Sequence, residues 1–380
     1  MRPGPTARGV ALQALRDVDS GGRANVVVPA LLSASRLDRR DRHLVTELVY
    51  GTCRMQRACD WLAGRHARGR LDAEVRAALR LGAYQLGWTR IPSHAAVSAT
   101  VAEIRGPGRS VVNAVLRRVA SDVDHGVVTW PDPATELSYP DWIVERLCAD
   151  LGRQSAFEAL EVMNQPATAT VRADGYTQDR ASQMIAEHLA PWASGACVLD
   201  MCAAPGGKAT GLAPGAGLVV AADLSLTRAR MVQDNGRRLG SHTMATLVAD
   251  GTRAPFTPAG FDLVLVDAPC SGLGVLRRRP DARWRVQPAD VERLATLQRR
   301  LLASAAPLLR PGGLLAYSVC TLTAAETAAV DRWGARELAA FEPVAPPGPP
   351  WRPAGRGGLL LPQAEGTDGM FLLVLRAPGA

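Results

Sequence analysis

The stretch CVLDMCAAPGGKATGLAPGAGLVVAADL, residues 197–224, decides the fold. Two short apolar runs, each closed by an aspartate (Asp200, Asp223), flank a loop of small residues and glycines. Runs this short and this continuously apolar read as strands buried on both faces. Downstream the pattern repeats in MATLVAD, FDLVLVDAP, GGLLAYSVC and MFLLVLR, with amphipathic stretches such as LTRARMVQDNGRRL and VERLATLQRRLLASAAPLL between them. Buried strands alternating with helices predict an α/β domain, a mostly parallel sheet covered by helices on both faces. APPGPPWRPAGRGG, residues 345–358, is too rich in Pro and Gly for helix or strand and is expected to be a surface loop.

Upstream the period changes. ARGVALQALRDV, RDRHLVTELVYGTCRMQRACDWL, DAEVRAALRLGAYQL and RSVVNAVLRRVA repeat apolar residues at steps of three and four, so residues 6–120 predict an all-helical bundle. VVTWPDPATELSYPDW carries three prolines and reads as a linker to the strand-rich half.

Of the 44 Lys and Arg residues only one, Lys208, is lysine. The net charge of +8 favours a polyanionic partner, nucleic acid ahead of membrane. Aromatic residues make up only 5%, which argues against an extended stacking platform for single strands. MRPGPTARGV lacks the apolar stretch of a signal peptide, and no uninterrupted apolar run is long enough to span a bilayer. Seven scattered cysteines (53, 59, 148, 197, 202, 270, 320) suit a reducing cytoplasm. Paired C-x-x-C ligands and H-E-x-x-H are absent, so no metal site is expected.

Ligands of open parallel sheets bind beyond the carboxyl ends of the strands. Three acids close three successive strands: Asp223, Asp250 and Asp267. Each alone reads best as a helix cap; together they could meet a nucleoside. The loop DMCAAPGGK matches neither G-x-G-x-x-G nor G-x-x-x-x-G-K-[ST], which disfavours NAD and nucleotide triphosphates. A non-phosphorylated adenosine such as S-adenosylmethionine fits better. Lys208 sits in that loop, where a compact ammonium fits and the broad guanidinium fork does not; loop carbonyls or Asp200 are its expected partners.

Two cysteines, Cys270 in DAPCSGLG and Cys320 in YSVCTL, end neighbouring strands on the same rim. Paired thiols there answer a definite chemical need. C5 of cytosine is too weak a nucleophile to attack a methyl donor until a thiolate adds at C6 and makes C5 enamine-like. An ordinary thiol is only a few per cent ionised at neutral pH, so the site must supply positive potential or a base. Asp267 could hold the edge of the target base. The basic run RRRPDAR, residues 277–283, reads as a grip on adjoining RNA backbone or as a solvated loop.

DMCAAPGGK, DAPCSGLGVLRRRPDARW and YSVCTL resemble the cofactor loop and the two cysteine motifs of RNA cytosine-C5 methyltransferases. SYPDWIVERL and NQPATATVRAD resemble the segment before that catalytic domain, and DGMF its last strand. LDRRDRHLVTELVYGTCRMQ, ALRLGAYQL, IPSHAAVSATVAEI and VVNAVLRRV resemble a NusB-like helical RNA-binding domain. That order is similar to the Sun/Fmu (RsmB-type) enzymes. The resemblance implies a NusB-like domain over 1–125, a linker and small subdomain over 126–185, and a Rossmann-like class I methyltransferase domain over 186–380. It also implies S-adenosylmethionine as cofactor and small-subunit (16S) rRNA as substrate, for a cytoplasmic monomer. Cys202, Ala203, Ala204, Pro205, Gly206, Gly207 and Lys208 would form the cofactor loop, with Asp223 on the ribose, Asp250 on the adenine side and Asp267 between cofactor and base. Cys320 would be the nucleophile and Cys270 would assist product release. Departures are Val319 and Thr321 around Cys320, where the family favours Thr and Ser, and Thr327 after Glu326, where it favours Asn. The same chemistry on tRNA or DNA, and a non-catalytic RNA-binding or assembly factor, are the competing readings.

Overall fold

The apolar runs of the C-terminal half all form strands. They are β1 (Cys197–Asp200), β2 (Leu218–Asp223), β3 (Met244–Val248), β4 (Phe261–Asp267), β5 (Leu309–Val319) and β9 (Met370–Arg376), joined at one edge by the shorter β6 (Glu342–Pro343), β7 (Arg352–Ala354) and β8 (Gly357–Leu360). This computed structural model describes residues 6–379; residues 1–5, part of the N-terminal stretch read above for a leader, and Ala380 lie outside the described residues. The strand order is β3-β2-β1-β4-β5-β9-β8-β7, with β6 also paired to β9. β1 to β5 run parallel, and β9 is antiparallel to β5.

The order reverses between β1 and β4. Chain leaving β1 winds outward through β2 and β3, then returns so that β4 lies on the other side of β1. A crevice opens beyond the strand ends at such a reversal, and ligands of this architecture bind there. The loops after β1 and β4 border it. In β4, Leu263, Val264, Leu265 and Val266 are all fully buried, as a strand covered on both faces requires. Each such side chain contributes roughly 1.5–3 kcal/mol of hydrophobic stabilisation.

Of the surface loop expected over 345–358, residues 345–351 are irregular, but 352–354 and 357–358 belong to strands. β7 pairs with β8, β8 pairs with β9, and Trp351, Gly357 and Gly358 are buried. The glycines are the reason. A Cβ at Gly357 would lie 2.4 Å from the Leu372 carbonyl, so only a bare backbone fits that approach.

By contact the chain divides into two units: Met1–Glu145 with Leu276–Arg285, and Arg146–Val275 with Val286–Ala380. The first is helical. Its main helices are Ala7–Asp19, Ala24–Ala34, Arg39–Arg54, Gln56–Gly64, Ala73–Trp88, Ser93–Ala102 and Gly108–Asp124. Leu48, Leu62, Leu79, Leu81 and Leu116 form part of its buried centre. Glycine again sets the closest approach: a Cβ at Gly82 would meet Leu116 at 2.3 Å.

The segment Leu276–Arg285, which follows the Cys270 motif in sequence, packs within this helical unit. The basic run 277–283 is therefore neither a solvated loop nor wholly available to RNA: Arg277 is 6% exposed and Arg283 is fully buried. The Arg283 guanidinium lies 3.8 Å over the Tyr139 ring and donates to the carbonyls of Arg54 (3.2 Å) and Ser138 (3.0 Å). Trp284 Nε1 donates to the Cys53 carbonyl at 2.6 Å. Burial pushes the Arg283 guanidinium down to about 10.

Candidate active site

The loop after β1 is tied down from Ala203 to Gly206. The Ala203 amide donates to the Ala222 carbonyl (2.9 Å) and the Gly206 amide to the Ala203 carbonyl (2.6 Å). Arg228 donates to the Ala204 carbonyl at 3.0 Å and Asn235 to that of Pro205 at 2.9 Å. Gly206 has φ +104°, a left-handed conformation that favours glycine, and it precedes the helix Gly207–Leu212. From the segment ahead of β1, Arg172 donates to the Gly207 carbonyl at 2.6 Å and to Thr210 Oγ1 at 3.1 Å. Sequence reasoning passed over this brace, because an exposed-looking Arg gives no local sign of its partner.

Lys208 Nζ donates to Asp267 Oδ2 at 2.6 Å, not to Asp200 or to a loop carbonyl as expected from the sequence. The side chain is 7% exposed. The cause is register: Asp267 ends β4, which lies beside β1, so its carboxylate reaches the loop directly. The other oxygen of Asp267 accepts from Ser318 Oγ at 2.6 Å, across the β4–β5 register pair Asp267–Ser318. Burial pulls the Lys208 ammonium down, but Asp267, with Cys320 and Asp200 behind it, outweighs burial and the net shift is upward. Lys208 stays charged.

Asp200 is fully buried, and neither oxygen makes a well-formed hydrogen bond among the described residues. Burial first, then the nearby charge of Asp267, push it up to about 7, against the weaker pull of Lys208 and the Cys202 amide. Burial likewise pushes the Cys202 thiol up, with Asp200 adding to it.

Cys270 and Cys320 meet: their sulfurs are 3.2 Å apart. Both are partly accessible. Cys270 is held well above the usual thiol range, first by its bond to Cys320, then by burial, with Glu326 contributing. The two sulfurs therefore differ electrically, with the Lys208 ammonium acting on Cys320 and the Glu326 carboxylate on Cys270.

Asp223 and Asp250, which end the outer strands, make bonds of their own. Asp223, 4% exposed at the end of β2, accepts from the Ser225 amide at 3.0 Å and pairs with Arg228 at 3.3 Å. Leu224 beside it is 71% exposed. Asp250 is exposed and caps the turn Gly251–Arg253, accepting from the Thr252 amide and hydroxyl, which hold its carboxyl below the usual range. Glu326, met in the sequence only beside the departure at Thr327, is fully buried among the cysteine loops.

Residues 186–376 match the family described as 16S rRNA methyltransferase RsmB/F, and residues 5–121 match the NusB family. The chain belongs to the RsmB/F methyltransferase family. It is 36% identical to the ribosomal RNA small subunit methyltransferase B of Thermus thermophilus, over 99% of this chain and 98% of that protein. The protein of the same description from Pseudomonas syringae pv. tomato is 33% identical over 95% and 94%. A crystal structure described as PH0851, 22% identical, superposes over 99% of each chain with a TM-score of 0.78 and shares the fold. As an RsmB/F methyltransferase, the protein uses S-adenosylmethionine as its cofactor. None of the helices described is long and apolar enough to cross a membrane.

Proposed function

We propose that this protein methylates C5 of a cytosine in small-subunit rRNA, in the bacterial cytoplasm, through a covalent bond from Cys320 to C6. The observation that carries the reading is the contact of Cys270 and Cys320 beside the Lys208–Asp267 pair. The Lys208 ammonium acts electrostatically on Cys320 and the Glu326 carboxylate on Cys270, the asymmetry that a nucleophile and its assistant need.

When bound, S-adenosylmethionine supplies a methyl group on a positively charged sulfur. The rim has matching chemistry: buried Asp223 would suit the ribose diol, exposed Leu224 would offer an apolar face to the adenine, and exposed Asp250 would take the adenine side. Cys202 to Lys208 would wall the methionine end. Asp267, still 31% exposed although bonded to Lys208 and Ser318, can accept from the target base's N4 amino group. The cytosine would be presented unpaired or flipped, at a cost of a few kcal/mol if it must unstack.

The Cys320 sulfur forms a bond to C6, and the C5–C6 electron pair makes C5 nucleophilic. C5 would take the methyl group as the donor departs as a neutral thioether, and the C5 proton would then pass to water. The returning electron pair rebuilds the double bond and expels the Cys320 thiolate, with Cys270 assisting that departure.

The test compares methyl incorporation into ribosomal subunits, naked rRNA, tRNA and duplex DNA. Small-subunit rRNA should be the substrate, with Cys270→Ala accumulating a covalent RNA–protein adduct and Cys320→Ala forming none. Full methylation by both variants, or preference for tRNA or DNA, overturns the reading.

A further inference from the structure

We propose that Glu326 is the positioning residue of the thiol pair: its carboxylate fastens the loop after β4 to the loop after β5 and so holds Cys270 against Cys320. The inference rests on the reading of these two cysteines as the reacting pair. Glu326 is fully buried. What makes that burial tolerable is a ring of donors drawn from both cysteine loops and from Gln298. Glu326 Oε1 accepts from the Ser271 amide at 2.8 Å and from Gln298 Nε2 at 3.0 Å. Oε2 accepts from Ser271 Oγ at 2.5 Å and Thr323 Oγ1 at 2.9 Å, with Thr321 Oγ1 at 3.2 Å. Ser271 and Thr321 are themselves joined at 2.8 Å.

The placement of these donors gives the carboxylate its purpose. Ser271 follows Cys270 and Thr321 follows Cys320, so each bond acts one residue from a sulfur. Gln298 extends the grip to the other side of Cys270 by donating to the Pro269 carbonyl at 3.0 Å. Cys270 and Cys320 are 50 residues apart in sequence; the Gly274 amide joins their loops through the Cys320 carbonyl at 3.0 Å, and the bonds to Glu326 add the side-chain ties. The Thr321 hydroxyl, where the family favours Ser, makes the bonds a serine would make.

The two oxygens also predict which substitution is tolerated. Donors on Oε1 are N–H groups that cannot reverse; donors on Oε2 are hydroxyls that can turn and accept. Glu326→Gln can therefore place its oxygen on the first set and its NH2 on the second, keeping the loops joined. Glu326→Ala strands buried donors and releases them.

The experiment measures the bridging of Cys270 to Cys320 by dibromobimane, located by mass spectrometry, alongside kcat and KM. Glu326→Ala leaves buried donors without an acceptor and lets the two loops part, so it should slow bridging and lower kcat by roughly 10- to 100-fold. KM for RNA and cofactor affinity should stay within about twofold, because neither contact is touched. Glu326→Gln should restore bridging and kcat to within about threefold of the native protein, a rescue that a merely structural role for the charge does not predict. Should Glu326→Ala fail to fold, Ser271→Ala carries the test, since it removes one anchor and leaves the carboxylate; it should slow bridging severalfold. Bridging at the native rate in Glu326→Ala, or in Ser271→Ala where the former does not fold, overturns the proposal whatever methylation does. If bridging responds as stated but the native protein forms no adduct with 5-fluorocytidine RNA, the clamp stands and the covalent reading falls.

Discussion

Replacing Lys208 by Met tests why the only lysine of the chain is kept. The substitution preserves length and apolar stem but removes the ammonium 2.6 Å from Asp267. Asp267 keeps one bond, from Ser318, with the Asp200 carboxyl nearby. Truncating one side of a buried ion pair costs about 3–5 kcal/mol, because the other charge is left without its partner. Asp267 is 31% exposed and water can partly replace the ammonium, so the lower end, about 3 kcal/mol, applies. For a unit of this size that lowers the midpoint of thermal unfolding by roughly 6–12 °C. Lys208→Arg keeps the charge but forces a planar fork into a site where the lysine is 7% exposed, and overpacking of that kind costs about 1–3 kcal/mol. Scanning calorimetry and titration with S-adenosylmethionine near neutral pH read both effects. A Met variant melting within about 1 °C of the native protein refutes the ion-pair argument, and an Arg variant equal to native in stability and cofactor affinity refutes the size argument.

Asp200→Asn should remove a pH dependence. A carboxyl raised to about 7 in the folded state binds its proton more tightly there than when unfolded, so its contribution is full below about pH 4 and is lost as the pH rises through 7. The loss approaches 4 kcal/mol at most, from about three pH units at 1.36 kcal/mol each. Urea midpoints should therefore favour Asp200→Asn more at pH 8 than at pH 5, and an equal difference at both rejects the assignment. Arg283→Met should destabilise the helical unit by about 3 kcal/mol, the sum of a desolvated cation–π contact and two charge-assisted bonds less the gain from an apolar replacement. Urea unfolding followed by near-ultraviolet circular dichroism reads it; a change under about 0.5 kcal/mol would mean the buried arginine is dispensable.

What could be read from the chain alone follows from short-range physics. Apolar runs mark β1 to β5 and β9, with acids closing β1, β2 and β4, because a strand buried on both faces leaves little place for polar side chains. Both sulfurs were placed on one rim because strand ends of a parallel sheet share an edge. Lys208 was singled out by composition and the cofactor loop by its small residues.

The tertiary structure decided the pairings, and for one reason: each joins residues that no local pattern relates. Lys208 meets Asp267 across 59 residues, and Ser271 meets Glu326 across 55. A buried Glu carries no sequence sign of its donors, and the threonines around it read as ordinary loop polarity. The basic run around Arg283 reads in sequence as an RNA grip or a solvated loop, whereas the ring of Tyr139 and two backbone carbonyls make the burial of Arg283 tolerable. In 345–358, Pro and Gly content signalled a loop, yet the glycines serve a sheet that needs close backbone approach. Local sequence set the elements and their order; packing, which brings distant donors to buried charges, set the chemistry of the site.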